Sequence, residues 1–100
     1  MAIPIWDKLV TETFSIGLDF TGQLPDSTTL VSGVASAFDS SGASASSTVL
    51  ALTGITVDEV NNIAKVKLKA GSAIGKFRIL FTMTLSNGDI IVEEAFLYVR

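Results

Sequence analysis

The last quarter of the chain, residues 75–100, constrains the fold more than any other stretch. Two runs of apolar residues meet there at Asn87-Gly88, the dipeptide typical of a two-residue type I′ hairpin turn. The first run places five apolar side chains on one side, because successive strand residues point to opposite faces: Phe77, Ile79, Phe81, Met83 and Leu85. The second run is apolar on both sides, interrupted only by Glu93 and Glu94. Since an isolated hairpin is only marginally stable in water, these faces require a partner sheet.

Alternation elsewhere predicts the remaining strands. It covers residues 8–20, 28–38, 49–57 and 63–70. Turns are expected at 21–27 and 58–62, and the low-complexity segment DSSGASASST at 39–48 favours a mobile inter-strand loop, with a partner-binding loop as the alternative. Convincing helical periodicity is absent from the sequence. About six strands with these turn spacings predict an all-β sandwich.

The alternation also predicts which side chains share a face. In the first of these strands the apolar face is Phe14, Ile16, Leu18 and Phe20. In the second, Leu30, Val34 and Phe38 are expected on one side, opposite Val31, Gly33, Ala35 and Ala37. In the third, Val49, Ala51, Ile55 and Val57 are expected opposite Leu50 and Leu52.

The amino-acid composition limits the kinds of functional site that the chain can form. Among 100 residues, 48% are hydrophobic and 17% charged, so one domain can build a core without cross-links. The sequence has neither cysteine nor histidine, which removes disulfides, thiolate ligands and imidazole bases. A net charge of −3 disfavours nucleic acid as a partner, and no apolar run reaches the roughly 20 residues of a membrane span. The start, MAIPIWDK, lacks the features of a secretion signal.

Catalytic and metal-binding patterns are missing from the sequence. The adjacent Glu93 and Glu94 point to opposite faces of a strand, so they cannot share a substrate. The turn at Asp58-Glu59, followed by two asparagines, is interpreted as solvated, with weak calcium binding as the minor alternative. No nucleophile motif or phosphate loop is found. We therefore expect no enzyme activity, no cofactor, no metal and no small-molecule substrate.

An apolar leader precedes the predicted domain. Residues 1–7 are expected to form an extended N-terminal arm ahead of a single sandwich domain at 8–100. The candidate contact residues in it are Ile3, Ile5 and Trp6. Two interpretations stay open: Trp6 closes one end of the sandwich, or the arm docks on a neighbouring subunit.

A row of lysines forms the second candidate contact. Lys65, Lys67 and Lys69 alternate with inward apolar residues, so they lie about 7 Å apart on the outer face of one strand. Outward lysines can protect an edge strand from unwanted pairing. The alternative is a contact with an acidic patch on another subunit.

The order of several short motifs resembles a known group of proteins. These motifs are Trp6-Asp7-Lys8, Leu18-Asp19-Phe20, the loop KAGSAIGKF at 69–77, the turn SNGD at 86–89 and the closing FLYV at 96–99. The chain is similar in them to the small immunoglobulin-like β-sandwich structural proteins of tailed bacteriophages, although Phe77 stands where tyrosine is expected. The resemblance implies an immunoglobulin-like antiparallel sandwich of six to seven strands with a C-terminal hairpin.

The same resemblance implies a role in a virion. Such proteins serve as neck or head–tail adaptors, in fibre attachment or in capsid decoration, so other virion proteins and a symmetric homo-oligomer are the expected partners. The expected localisation is the virion, assembled in the host cytoplasm. The alternative function is a carbohydrate- or cell-surface-binding immunoglobulin-like module, for which Trp6 and Tyr98 are the candidate aromatic platforms.

Overall fold

The computed structural model describes residues 5–22, 24–25, 27–51, 54–69 and 74–100. Within them are seven strands and one short helix: β1 (Ile5–Lys8), β2 (Ser15–Asp19), β3 (Leu30–Phe38), α1 (Ser46–Val49), β4 (Thr56–Asp58), β5 (Ile63–Lys67), β6 (Gly75–Leu85) and β7 (Ile90–Val99). In this described part of the chain no helix has the length and apolar character needed to cross a membrane.

The strands form two packed sheets. One has the order β1-β7-β6-β3 and the other β2-β5-β4. All pairs are antiparallel except β1 with β7. If β2 to β7 are read as strands B to G, the sheets have the orders G-F-C and B-E-D of an immunoglobulin domain. The predicted immunoglobulin-like sandwich is confirmed.

The core lies between the sheets and is built from one face of each long strand. The predicted apolar faces of β2 and β6 are buried, with Phe14 half-buried at the margin. Facing side chains come from β5 and β7: Ala64, Val66, Ala95, Leu97 and Val99. The period-2 pattern therefore predicted the inward faces of β2, β5 and β6 correctly, because each of these strands has one side in the core and one outside. For β7, which is apolar on both sides, it did not select the inward face.

Strand β3 departs from the predicted alternation. Its pairing with β6 shifts register between Leu30 and Ser32, which is a β-bulge that inserts one extra residue. As a result Leu30 is buried together with Ala35 and Ala37, whereas Val34 is exposed. The prediction that Leu30 and Val34 share a face is wrong, because the bulge reverses the alternation between them.

The serine-rich segment at 39–48 packs against the sheet, whereas the sequence favoured a mobile loop. The Ala45 backbone N–H donates to the Ala37 carbonyl at 2.7 Å, and the Ser46 hydroxyl accepts from the Ala37 N–H at 2.9 Å. One helical turn follows, and it places Val49 and Leu50 both in the core. The predicted strand at 49–57 therefore shortens to β4, and its predicted alternation of Val49 against Leu50 is wrong. Leu52 lies outside the described residues.

The closing hairpin has a different turn from the predicted one. The Leu85 N–H donates to the Asp89 carbonyl and the Gly88 N–H to the Leu85 carbonyl, so three residues, 86–88, form the loop. Gly88 has φ of +90°, but Asn87 does not have positive φ. A type I′ turn needs positive φ at both central residues, whereas a type I turn followed by a left-handed glycine does not. The hairpin was predicted correctly and its turn type was not.

The N-terminal segment is part of the sheet from residue 5 onward. Ile5–Lys8 form β1, which pairs in parallel with residues 96–99 of β7. The strand predicted for residues 8–20 is thus two strands separated by residues 9–14. Residues 5–7 of the predicted arm belong to β1, and Ile3 lies outside the described residues.

Candidate functional site

The outer face of the four-stranded sheet is formed by β1, β7, β6 and β3, one strand more than in the other sheet. Its rows cross the strands in register, as Val34–Thr82–Val92 and as Phe38–Arg78–Phe96–Ile5. We term this surface the open face. It carries four apolar side chains that are 53 to 64% exposed: Ile5, Val34, Ile90 and Val92. We term Val34, Ile90 and Val92 the apolar band, and exposed apolar side chains gathered on one sheet face are typical of an interaction site.

One end of the open face is aromatic and cationic. The Lys76 ammonium lies 4.6 Å from the Phe96 ring centre and 5.7 Å from that of Tyr98, and the Arg78 guanidinium lies 5.6 Å from that of Phe38. These distances are those of cation–π contacts. A cavity of about 420 Å³ opens here, lined by Phe38, Asp39, Ser40, Gly42, Lys76, Arg78 and Phe96. We term it the cationic pocket.

Carboxylates hold the rim of this pocket in place. Arg78 Nε lies 3.3 Å from Glu94 Oε2, which fixes the guanidinium along the sheet. Asp39 Oδ1 accepts from the Ser41 hydroxyl at 2.6 Å and from the N–H groups of Ser41 and Ala43. The Ser41 hydroxyl, and then backbone N–H groups, lower the pKa of Asp39 against the opposing effect of desolvation. The Asp39 carboxylate therefore accepts hydrogen bonds from within its own turn.

The other end of the open face is the tip of the closing hairpin. Asn87 Nδ2 donates to Asp89 Oδ2 at 3.0 Å, and the Asp89 N–H donates to Asn87 Oδ1 at 3.0 Å. Both residues are exposed. These local bonds orient the Asp89 carboxylate at the tip. The opposite end of the open face carries Lys76 and Arg78 together with the carboxylates of Asp7, Asp39 and Glu94.

The predicted lysine row lies on the opposite side of the molecule. Lys65, Lys67 and Lys69 are all exposed, as expected. Strand β5, however, is the central strand of its sheet, between β2 and β4. Protection of an edge strand is therefore the wrong explanation for the row, because β5 has no free edge in this sheet. The proposed contact with an acidic partner stays a prediction.

A shallow polar surface surrounds two of these lysines. Lys65 and Lys67 border a cavity of about 300 Å³ together with hydroxyls of β2 and β4. The pKa of the neighbouring Asp58 is lowered, first by the Asn61 side chain and to a smaller extent by the charge of Lys65. Asp58 accepts its hydrogen bonds from Val60 and Asn61 within the turn. This turn was predicted correctly as a local structure.

The leader residues point in two directions. Ile5 pairs with Phe96 and Asp7 with Tyr98 on the open face, whereas Trp6 pairs with Leu97 and packs against the core. Of the predicted arm contacts, the structure places Ile5 on the open face and Trp6 inside. Trp6 is thus not an exposed platform for a sugar, and the ring of Tyr98 is half-buried beneath Lys76.

Sequence reasoning did not single out most residues of the open face. Val34, Lys76, Arg78 and Val92 were not predicted as site residues, yet the register places them on one surface. The sequence did contain one signal of this surface. The last strand is apolar on both sides and only one side can face the core, so its other apolar side must be exposed or covered by a partner. Among the described residues, no group of three or more histidine, cysteine or acidic side chains is placed to hold a metal ion.

Comparison with solved structures supports the fold. The chain is similar to NK cell receptor Nkp44, a triggering partner in natural cytotoxicity, with a TM-score of 0.55, 11% identity and complete coverage of both chains. It is also similar to the PKD domain from the KIAA 1837 protein, with a TM-score of 0.47 and 16% identity over 97% of this chain and 80% of that one. No protein-family model matches the sequence, and no curated protein matches it. At such identities the likeness concerns the immunoglobulin-like fold alone.

Proposed function

We propose that this chain is a non-enzymatic structural protein of a bacteriophage virion that works through protein–protein contacts. The observation that carries the interaction role is the exposed apolar band of the open face, in particular Val34, Ile90 and Val92. The virion setting rests on the sequence resemblance. Within it, the neck or adaptor, fibre-attachment and capsid-decoration roles all depend on protein–protein contacts.

A protein partner fits this surface better than a sugar does. Sugar sites present free aromatic faces, but Lys76 and Arg78 lie over the rings of Phe96 and Phe38. A sheet face on which exposed apolar residues are bordered by charged ones has the composition of a protein interface, which combines apolar contacts with a polar rim. The carbohydrate-binding alternative therefore has less support than the interaction role.

The test uses particles of the phage or prophage whose genome encodes the chain. Gradient-purified particles are analysed by quantitative mass spectrometry, and we expect the chain at a fixed ratio to the major capsid protein. Absence of the chain from intact particles would show that the virion proposal is wrong.

A pair of variants connects incorporation to the open face. A phage deleted for this gene is complemented with Val92→Arg or with Val60→Arg, the same change at a valine that is 90% exposed in the turn after β4. We expect Val92→Arg to reduce incorporation at least about tenfold, because it places a charge in the apolar band. Val60→Arg should incorporate normally. Equal incorporation of both variants would exclude the open face as the contact.

A further inference from the structure

Two lysines of the smaller sheet lie among small side chains. On β5, Lys65 lies between Gly17 of β2 and Thr56 of β4, and Lys67 lies opposite Ser15 of β2. The Lys65 Cγ is 3.4 Å from the point that a Cβ on Gly17 would occupy, so the lysine stem packs across the bare glycine backbone. A cavity of about 300 Å³ surrounds the pair, with this lining: Ser15, Gly54, Thr56, Lys65, Val66 and Lys67. We term it the lysine cleft.

The positive charge of the lysine cleft is not neutralised from within the described part of the chain. A lysine on a strand can be balanced by a carboxylate directly across from it, but the residues across from these two lysines are glycine, serine and threonine. Neither Lys65 nor Lys67 forms an ion pair with another described residue. Both are exposed, so their ammonium groups are accessible to a partner.

Two carboxylates of the same sheet lie farther along it. Asp19 and Asp58 are both opposite Ile63, two residues along β5 from Lys65 and four from Lys67. Each aspartate accepts hydrogen bonds from residues that follow it in its own turn. The outer face of the smaller sheet is therefore acidic at one end and cationic at the lysine cleft, so an acidic group fits at the cleft and not along the whole face.

We propose that the lysine cleft binds an extended acidic segment of a partner protein, in which alternate residues carry a carboxylate. Lys65 and Lys67 are two residues apart on one face, which is about 7 Å, and alternate residues of an extended segment have the same separation. Each lysine thus meets one carboxylate, and the hydroxyls of Ser15 and Thr56 donate to the remaining carboxylate oxygens. The cleft lies on the opposite side of the molecule from the open face, so this inference goes beyond the proposed function by adding a second contact surface.

A short acidic segment fits the cleft better than a nucleic acid does. The described lining has no aromatic ring on which a base could stack. The aspartates farther along the face and the net charge of −3 oppose the binding of a long polyanion. The cleft is therefore matched to a segment with few carboxylates.

Titration of the purified full chain with synthetic peptides, followed by amide NMR, tests this site. The probe is an end-blocked peptide of alternating threonine and glutamate that contains three glutamates. We expect a dissociation constant of about 0.1–1 mM at low ionic strength, because exposed charge contacts are weak. Affinity should fall at least about fivefold in about 0.3 M salt. The shifted amides should be those of β5 and of its neighbours Gly17 and Thr56.

Variants connect the binding to the two lysines. Lys67→Gln removes one charge from the cleft, and Arg100→Gln, the matched control, removes one exposed charge beyond the end of β7. We expect Lys67→Gln to weaken peptide binding at least about threefold and the double variant with Lys65→Gln at least about tenfold, while the control stays within about 1.5-fold. Circular dichroism verifies that the variants fold. A loss in the control as large as in Lys67→Gln would mean that binding follows net charge, which overturns the inference.

A second peptide tests the spacing of the carboxylates. It has the same composition with its three glutamates adjacent, so successive carboxylates point to opposite sides of an extended segment. We expect it to bind at least about threefold more weakly, and equal affinity overturns the alternating segment. If the alternating peptide does not bind, or if a thymidine decamer binds more tightly at the same amides, the acidic protein segment is the wrong ligand class.

The outcome does not depend on the virion role, because the titration uses the purified chain alone. Peptide binding by a chain that is absent from particles refutes the virion role and leaves the lysine cleft as a binding site. A chain that is incorporated into particles but does not bind the peptide refutes the lysine cleft alone.

Discussion

A buried lysine is the most unusual side chain in this sandwich. Lys8, at the end of β1, is 1% exposed, and its Nζ donates to the carbonyls of Leu9 and Val10 at 2.9 and 3.1 Å. A buried cation normally needs compensating partners, and here two carbonyls of the turn that leaves β1 supply them. The lysine thereby holds the connection from β1 to β2 against the edge of the core.

Removing this side chain should destabilise the protein. We expect Lys8→Ala to lower the free energy of unfolding by about 2–4 kcal/mol, since the stem leaves a cavity and two carbonyls lose a donor. Lys8→Met keeps the stem and should cost about 1–2 kcal/mol. Urea unfolding measures both, with exposed Lys67→Ala as the control, expected within about 0.5 kcal/mol. A Lys8→Ala variant as stable as this control would contradict the structural role.

At the scale of elements, the closing hairpin depends on one glycine. Gly88 has φ of +90°, which a residue with a Cβ adopts only at a cost. The Gly88 N–H also closes the turn onto the Leu85 carbonyl at 3.0 Å. The register of β6 with β7, and therefore the alignment of the open face, depends on this turn.

The conformation of Gly88 leads to a prediction about stability. Gly88→Ala should destabilise the protein by about 1–2 kcal/mol because of its positive φ. Gly54→Ala is the matched control: its φ is not in the positive region and an added Cβ there meets no atom within 4 Å. We expect the control to lie within about 0.5 kcal/mol of the parent. Equal urea midpoints for the two variants would mean that residue 88 does not need its left-handed conformation.

At the scale of the whole molecule, three turns are stabilised in the same way, by an aspartate carboxylate. Asp19, Asp39 and Asp58 each accept hydrogen bonds from residues just after them. The pKa of each is lowered from 3.8, chiefly by side-chain hydrogen bonds from Thr21, Ser41 and Asn61 respectively. A carboxyl whose pKa is lower in the folded state contributes stability above its unfolded pKa and loses that contribution as pH falls through its folded pKa.

Acid should therefore destabilise the parent more than a variant without these carboxylates. In the triple variant Asp19→Asn, Asp39→Asn and Asp58→Asn, we expect a smaller fall in the urea midpoint between about pH 6 and about pH 3. The asparagine oxygens can still accept the backbone N–H groups, so the turns remain formed. If the urea midpoint of the triple variant falls as much as that of the parent on acidification, other groups control the pH dependence of stability.

The sequence was most informative where one face of a strand is buried along its whole length. The inward residues of β2, β5 and β6 followed directly from period-2 alternation. It was less informative where an irregularity interrupts the period, as at the bulge near Val31, or where a helical turn buries neighbouring residues such as Val49 and Leu50. Alternation carries no signal of either, because both are decided by contacts with strands far away in sequence.

The candidate site was the least predictable part for the same reason. The sequence left two interpretations of Trp6 open, and the structure favours the one in which Trp6 packs against the sandwich core. The structure also placed the lysine row on the central strand of the smaller sheet. The open face consists of residues from β1, β3, β6 and β7 that are adjacent only through strand pairing. Local sequence does not encode that adjacency.

By itself, therefore, the sequence determined the fold class, the closing hairpin and the inward faces of the regular strands, because hydrophobic periodicity and turn residues act over a few neighbours. The tertiary structure decided the rest of the molecule. Sheet order made β5 a central strand, and pairing of β3 and β1 with the closing hairpin brought Val34 beside Thr82 and Ile5 beside Phe96. These relations arise from hydrogen bonds between strands distant in the chain, and the open face exists only once those strands have paired.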